Sequence, residues 1–196
     1  MKKQVMAVAA LCALMSGAAF AQDGQGPWMV RARAVSLQSS NGDSTGLGLS
    51  INNKWLPEGD ITYFFNKNIA AELILTVPQS QTLYSKGTAI GSFKHLPPTL
   101  LAQYHFDLGS FKPYVGAGIN YTSITNISLP AGVSIDSSSW GAAIQAGVDI
   151  PLSNNLYFNF DVKKVNIRTG VYAAGSQIGT FKIDPLLVGV GLGWRF

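Results

Sequence analysis

The chain is short of charge, of thiols and of long apolar runs, and each shortage removes a class of protein. Its single cysteine, Cys12, sits in the first apolar stretch behind Leu11, which is too large for a lipidation site. If that stretch is a cleaved leader, the mature chain has no thiol, which excludes disulfide scaffolds, zinc–cysteine sites and cysteine catalysis. Only 12% of residues are charged, about half the usual share of a soluble domain. The two histidines, His95 and His105, are too isolated to form a metal site. No Ser/His/Asp set falls at a shared level, so no catalytic residue and no cofactor is assigned. Although 47% of the chain is apolar, no run after the N-terminal segment reaches the ~18 residues of a helical span.

What is present begins with a leader. Lys2 and Lys3 precede an apolar run from Val5 to Met15, too short to cross a bilayer, and Ala19-Phe20-Ala21 reads as a small-x-small cleavage site. Residues 1–21 are therefore expected to be a signal peptide, and 22–196 one domain. Lys2 and Lys3 supply half of the formal charge of +4, so the basic balance does not point to nucleic acid. An apolar secreted chain without a helical span is either an unusually greasy β-sandwich or a membrane β-barrel.

Strict alternation decides between them. Leu186, Val188, Val190, Leu192, Trp194 and Phe196 take every second position, with Gly189, Gly191, Gly193 and Arg195 among those between. A soluble strand would carry Lys, Glu and Thr on its second face; here that face is mostly glycine, which suits a crowded barrel interior. The same dyad recurs at 69–77, 96–106, 140–150 and 156–163. Eight strands are predicted, near 27–38, 55–65, 69–78, 93–106, 111–125, 139–152, 156–169 and 180–196. Short turns at 66–68, 107–110 and 153–155 alternate with Gly/Ser-rich loops near 39–54, 79–92, 126–138 and 170–179. That segregation is the outer-membrane pattern, short connections periplasmic and long ones outside. The fold class is thus an all-β, eight-stranded antiparallel transmembrane barrel in the bacterial outer membrane, with membrane lipid as its surroundings. Pro97-Pro98 predicts a local break in strand pairing, since proline donates no ladder hydrogen bond.

With the aromatic parity outward, the inward residues divide by height. Toward the short turns lie Arg31, Arg33, Glu58, Asp60, Glu72, His105, Lys112, Asp149, Asp161, Lys163 and Arg195, mixed in sign and expected to pair as a charged plug. A proton relay or ion filter is the sharper reading of the same set. Toward the long loops lie Val35, Leu37, Leu56, Ile74, Phe93, Leu101 and Leu187. They line a pocket for a greasy molecule or simply fill a narrow barrel; the pattern leaves both open. On the seventh strand Lys164 falls at the lipid-facing parity, which calls for a bulge or a place at headgroup level.

Several longer strings, His95-Leu-Pro-Pro-Thr-Leu100, Phe111-Lys-Pro-Tyr-Val-Gly-Ala-Gly-Ile-Asn-Tyr-Thr122, Ser139-Trp-Gly-Ala-Ala143, Leu56-Pro-Glu-Gly-Asp-Ile-Thr-Tyr-Phe-Phe65, Asp184-Pro185 and the closing Trp194-Arg195-Phe196, resemble the OmpW family. The resemblance covers essentially the whole mature chain. It implies an eight-stranded barrel admitting small hydrophobic molecules, as the related AlkL proteins admit alkanes, with sideways release into the membrane. Pro97 and Pro98 are then the expected lateral opening, a hydrophobic ligand or detergent the expected lumen occupant, and the C-terminal Phe196 the expected signal to the barrel assembly machinery. The competing reading is a structural or receptor barrel with a plugged lumen, whose loops bind phage, colicin or host surfaces.

Overall fold

A computed structural model describes residues 25–196; the expected signal peptide lies outside the described residues. In chain order the strands are β1 (Trp28–Gln38), β2 (Gly42–Asp43), β3 (Leu49–Ile51), β4 (Lys54–Phe64), β5 (Ile69–Thr76), β6 (Gln79–Ser85), β7 (Thr88–Leu96), β8 (Thr99–His105), β9 (Lys112–Ser128), β10 (Val133–Ile135), β11 (Ser138–Pro151), β12 (Leu156–Val165), β13 (Arg168–Ala173), β14 (Ser176–Lys182) and β15 (Leu186–Arg195). Eight of them close a ring in the order β1, β4, β5, β8, β9, β11, β12, β15, every pair antiparallel, and β15 returns to β1 from Met29↔Arg195 to Gln38↔Leu186. Closure leaves no open edge round the ring, the condition for a β-structure to cross lipid.

Alternation sets the two faces as predicted. Leu100, Tyr104, Trp140, Ile144, Phe160, Val190 and Leu192 are exposed on the wall, while the residues between them point into a buried interior. The inward glycines are required by what they face. Tyr114 lies directly opposite Gly147, and a Cβ there would collide with its ring. At Gly193 a Cβ would come within 2.7 Å of Met29 Cε and 3.0 Å of Arg31 Cγ.

Three predicted strands are each broken in two. Residues 93–106 divide at Pro97-Pro98 into β7 and β8, 156–169 divide at Asn166-Ile167 into β12 and β13, and 180–196 divide at 183–185 into β14 and β15. The segments expected as loops are largely strand. β6 and β7 form a hairpin that carries β3 on one side and joins β9 on the other. β10, β13, β14 and β2 form a separate four-stranded sheet. Gly and Ser misled here because this collar stands clear of lipid, so its outer face needs no large apolar residues. Its interior does: Leu49, Ile51, Leu83, Phe93, Ile135, Phe181 and Ile183 are buried in one cluster. Where backbone groups lack ladder partners, side chains supply them. Burial pushes the Asp43 carboxyl up, but Thr45 Oγ1 (2.7 Å) and the Thr45 (2.9 Å) and Leu49 (3.0 Å) amides donate to it and hold it below its ordinary range.

The core of the periplasmic half is ionic. Arg31 pairs with Asp149 (2.6 Å) and Asp60 (3.2 Å), Arg33 with Glu58, Asp60 and Glu72 (each 2.9 Å), and Lys163 with Glu58 (2.6 Å) and Asp161 (2.9 Å). Three cations thus meet five carboxylates, and neutral donors serve the surplus. Gln103 donates to Glu72 (2.8 Å), Gln145 and Tyr114 to Asp161 (2.7 and 2.9 Å), Asn159 to Asp149 (2.8 Å) and Thr62 to Asp60 (3.2 Å). Two residues expected in this plug do not join it. Lys112 and Arg195 line a cavity of about 180 Å³ at the periplasmic mouth. Asp149, opposite Lys112 in the ladder, is engaged by Arg31 instead. Arg195 donates to the Gly26 carbonyl (3.0 Å) and lies 4.0 Å from the centroid of the Phe64 ring. His105 is buried in the plug, but it bonds the Gln103 amide (2.9 Å) rather than a carboxylate.

Two stability outcomes follow. Val190 sits between Ala34 and Phe160 on the outward face, so Val190→Arg should cost about 2–4 kcal/mol in denaturant unfolding from lipid vesicles; unchanged stability would mean the parity is wrong. Arg33→Met strands carboxylates on two strands, β4 and β5, and should cost about 3–5 kcal/mol. Lys94→Met, on the exposed collar, should stay within about 0.5 kcal/mol.

Candidate functional site

Above the plug the interior turns apolar. Leu37, Leu56, Ile74, Val165, Ile167, Pro185 and Leu187 line a cavity of about 30 Å³ whose floor includes Glu58 and Lys163, the uppermost ion pair of the plug. Leu37 from β1, Leu56 from β4, Ile74 from β5, Val165 from β12 and Leu187 from β15 come inward by strand parity, while Ile167 and Pro185 come from the breaks after β12 and β14. Four of the seven expected lining residues therefore meet at one cavity. Val35 packs against Leu37, Leu56 and Leu187 without reaching it, filling the space over Gly189, where a Cβ would meet Val35 Cγ2 at 3.1 Å. Phe93 and Leu101 belong to the larger apolar cluster that continues into the collar. At about 30 Å³ the resting chamber holds one water-sized sphere, so an organic solute enters only as side chains move.

The cavity also reaches the barrel wall. The β5–β8 ladder runs from Ile69↔Tyr104 to Ile74↔Thr99 and stops; the next ladder outward, β6–β7, resumes at Gln79↔His95. Between them Thr76-Val77-Pro78 faces Pro97-Pro98, so three prolines occupy the seam. Three amide donors are missing from the place where the ladders fail to join. On β4 the pairing with β5 ends at Glu58↔Thr76, while β4 continues to Lys54 against β1 alone. The far side of the seam is tied down. Pro98 O accepts from the Tyr121 amide (3.0 Å), and Asn120 Nδ2 donates to Pro97 O and Pro98 O (3.2 Å each) and to Thr99 Oγ1 (2.9 Å). Thr76, Gln79, Pro97 and Thr99, drawn from both lips, all line the cavity.

Sequence reasoning found Pro97-Pro98 and missed Pro78 and Asn120. Pro78 was readable as a further strand breaker, but only the fold shows that it stands across from the other two. Asn120 carried no distinguishing signal beyond its inward parity. The chamber holds no assembly of nucleophile, base and acid, and among the described residues no group of His, Cys, Asp and Glu is placed to hold a metal. What this arrangement can do is exclude ions at its floor, accept apolar matter above it, and open at its side.

The sequence model of the OmpW family matches residues 20–196. An outer-membrane protein of Sinorhizobium fredii, y4mB, is 42% identical over 187 residues, covering 88% of this chain and 81% of that one. Outer membrane protein W of Escherichia coli is 35% identical over 213 residues, covering all of both chains. The crystal structure of OprG from Pseudomonas aeruginosa superposes with a TM-score of 0.76 at 25% identity, covering 88% of this chain and 96% of that chain. With the closed ring, the inward plug and the broken seam now in view, these likenesses place the chain in the OmpW family of outer-membrane barrel proteins.

Proposed function

We propose that the protein admits small hydrophobic molecules across the outer membrane, passively, through the apolar chamber, and releases them sideways at the Pro97-Pro98 seam. One observation carries the reading: the cavity above the plug is lined by residues from both lips of the proline-bearing stretch where the β5–β8 and β6–β7 ladders fail to join. An ion-conducting porin lines its lumen with charge and water. Here the charges occupy the lower half and are held in ion pairs of 2.6–3.2 Å with neutral donors on the surplus carboxylates, while the upper half offers a mostly apolar lining. A solute descending from outside enters the chamber as its apolar side chains give way and meets an ionic floor. Its path of least cost leads through the seam, where Val77 and Trp55 are exposed on the lipid side. The gradient alone drives the transfer, since burying apolar surface in membrane is itself favourable.

The test is uptake of a hydrophobic dye or hydrocarbon into liposomes carrying the refolded barrel. Leu56→Asp puts an unpaired carboxylate into the chamber and should slow entry by about tenfold or more, with the heat-modifiable mobility of the folded barrel retained. Leu192→Ala, on the lipid face, should leave uptake unchanged. A folded Leu56→Asp barrel that transports like the parent would remove the lumen as the route and favour the receptor reading, in which the collar binds an external partner.

A further inference from the structure

Three cations stand on the outside of the barrel just above its lipid-facing wall, and uptake through the lumen uses none of them. Lys164 is the last outward residue of β12, Arg168 opens β13 and Lys182 closes β14. No bulge relieves Lys164: the β12–β11 ladder runs through it and the β12–β15 ladder reaches it, both without a register shift. Its height is fixed by its partners, Ile144 on one side and Leu186 on the other, both exposed on the lipid-facing wall. From Leu186 the same outward parity continues through Asp184 to Lys182, exposed at the collar's base. The patch therefore occupies the step at which the wall passes from hydrocarbon to headgroups.

Charge at this step is unbalanced. Arg168 and Lys182 are direct cross-strand partners, a placement in which like charges repel. The one carboxylate among them, Asp184, pairs with Arg168 alone. It accepts from Arg168 Nε (3.2 Å) and from the Ile167 amide (2.9 Å), while its backbone carbonyl and Ser40 Oγ hold Lys164 Nζ (2.5 and 2.8 Å). Among the described residues Lys182 has no ion-pair partner. Arg168 is half exposed, and because its Nε is the atom that meets Asp184, both Nη groups remain directed elsewhere. With three cations and one carboxylate the patch keeps a net charge of +2, on a surface whose next row inward is apolar.

We propose that this patch is a binding site for the phosphate of an outer-leaflet lipid headgroup, seated between the Arg168 fork and the Lys182 ammonium. The outer leaflet of this membrane is built of phosphorylated glycolipid, and a phosphate monoester carries about two negative charges at neutral pH, the complement of the local excess. Guanidinium binds phosphate oxygens in pairs and ammonium adds a point charge. The acyl chains of the same lipid would run down over Ile144 and Leu186. The bound phosphate removes the repulsion between Arg168 and Lys182, so the lipid and the collar stabilise one another. The site stands on the outside of the wall and is independent of whether the lumen conducts.

The test measures lipid retention by the full refolded barrel, by native mass spectrometry from detergent with a chelator present to remove bridging divalent ions. The probes are bis-phosphorylated lipid A, its dephosphorylated form, phosphatidylglycerol and inorganic phosphate. The parent should retain the phosphorylated glycolipid in preference to the other three. Arg168→Gln/Lys182→Gln should lose about tenfold or more in apparent affinity for it, while its weak binding of dephosphorylated lipid A equals the parent's. Lys86→Gln/Lys94→Gln removes the same charge elsewhere on the collar and should change nothing. Equal retention of the phosphorylated glycolipid by the parent and the Arg168/Lys182 variant would overturn the site. Equal affinity of the parent for the dephosphorylated form, for phosphatidylglycerol or for inorganic phosphate would overturn the glycolipid assignment. Heat-modifiable mobility of each variant shows that folded barrels are being compared.

Discussion

An eight-stranded wall is wide enough inside for side chains and for little else, so each inward group must be satisfied by what reaches it from the opposite wall. Everything else in the molecule is an answer to that confinement. Arg31 and Arg33, two residues apart on β1, face carboxylates from β4, β5 and β11, and their guanidinium forks cross-link strands that the backbone ladder joins only to nearest neighbours. The glycines of β15 and Gly147 of β11 yield the volume that those forks and the Tyr114 ring occupy. A buried ion network is an expensive core, because desolvation offsets much of the attraction between its charges. Its effect here is positional: it fixes Arg31, Arg33 and Lys163 across the lumen as the floor of the apolar chamber.

The wall and the plug were legible in the sequence because both are written in a period of two. Once Trp194, Leu192 and Val190 are set outward, Arg31, Glu72 and Asp149 fall inward with no further assumption. The neutral half of the plug was equally present in that parity. Gln103, Tyr114, Gln145 and Asn159 were passed over because counting charge shows cations and carboxylates and does not show the donors that a surplus of carboxylates needs. Lys112 and Arg195 failed for the opposite reason. They have the right parity but sit at strand ends, where the facing carboxylate is already held by another residue.

The collar was the least readable part. Its strands, β2, β3, β6, β7, β10, β13 and β14, are short and several are flanked by residues with positive φ such as Asn41, Lys86 and Ala174, and their outer faces are free of the apolar requirement that marks the wall. Ser, Thr and Gly there read as loop. Their inner faces pack as a soluble protein packs, and the apolar cluster they form is continuous with the ceiling of the chamber. The seam lay between these regimes: Pro97-Pro98 announced a break, and pairing alone could reveal that Pro78 belonged to the same one.

The seam also settles how deeply the molecule floats. The outer end of β4, from Lys54 to Pro57, has a ladder partner on one side alone, and unpaired amides and carbonyls are not tolerated against hydrocarbon. The aromatic residues around the seam give the same level independently. Trp55 is exposed beside it, and Tyr121, whose amide bonds Pro98, packs its ring at a tilt 4.8 Å from that of Trp140 across the β9–β11 ladder. Tyrosine and tryptophan collect where lipid meets water. The flaw in the barrel is therefore its waterline: the bilayer rises to the seam and no further, and a membrane thick enough to submerge it would have to thin around this protein or tilt it.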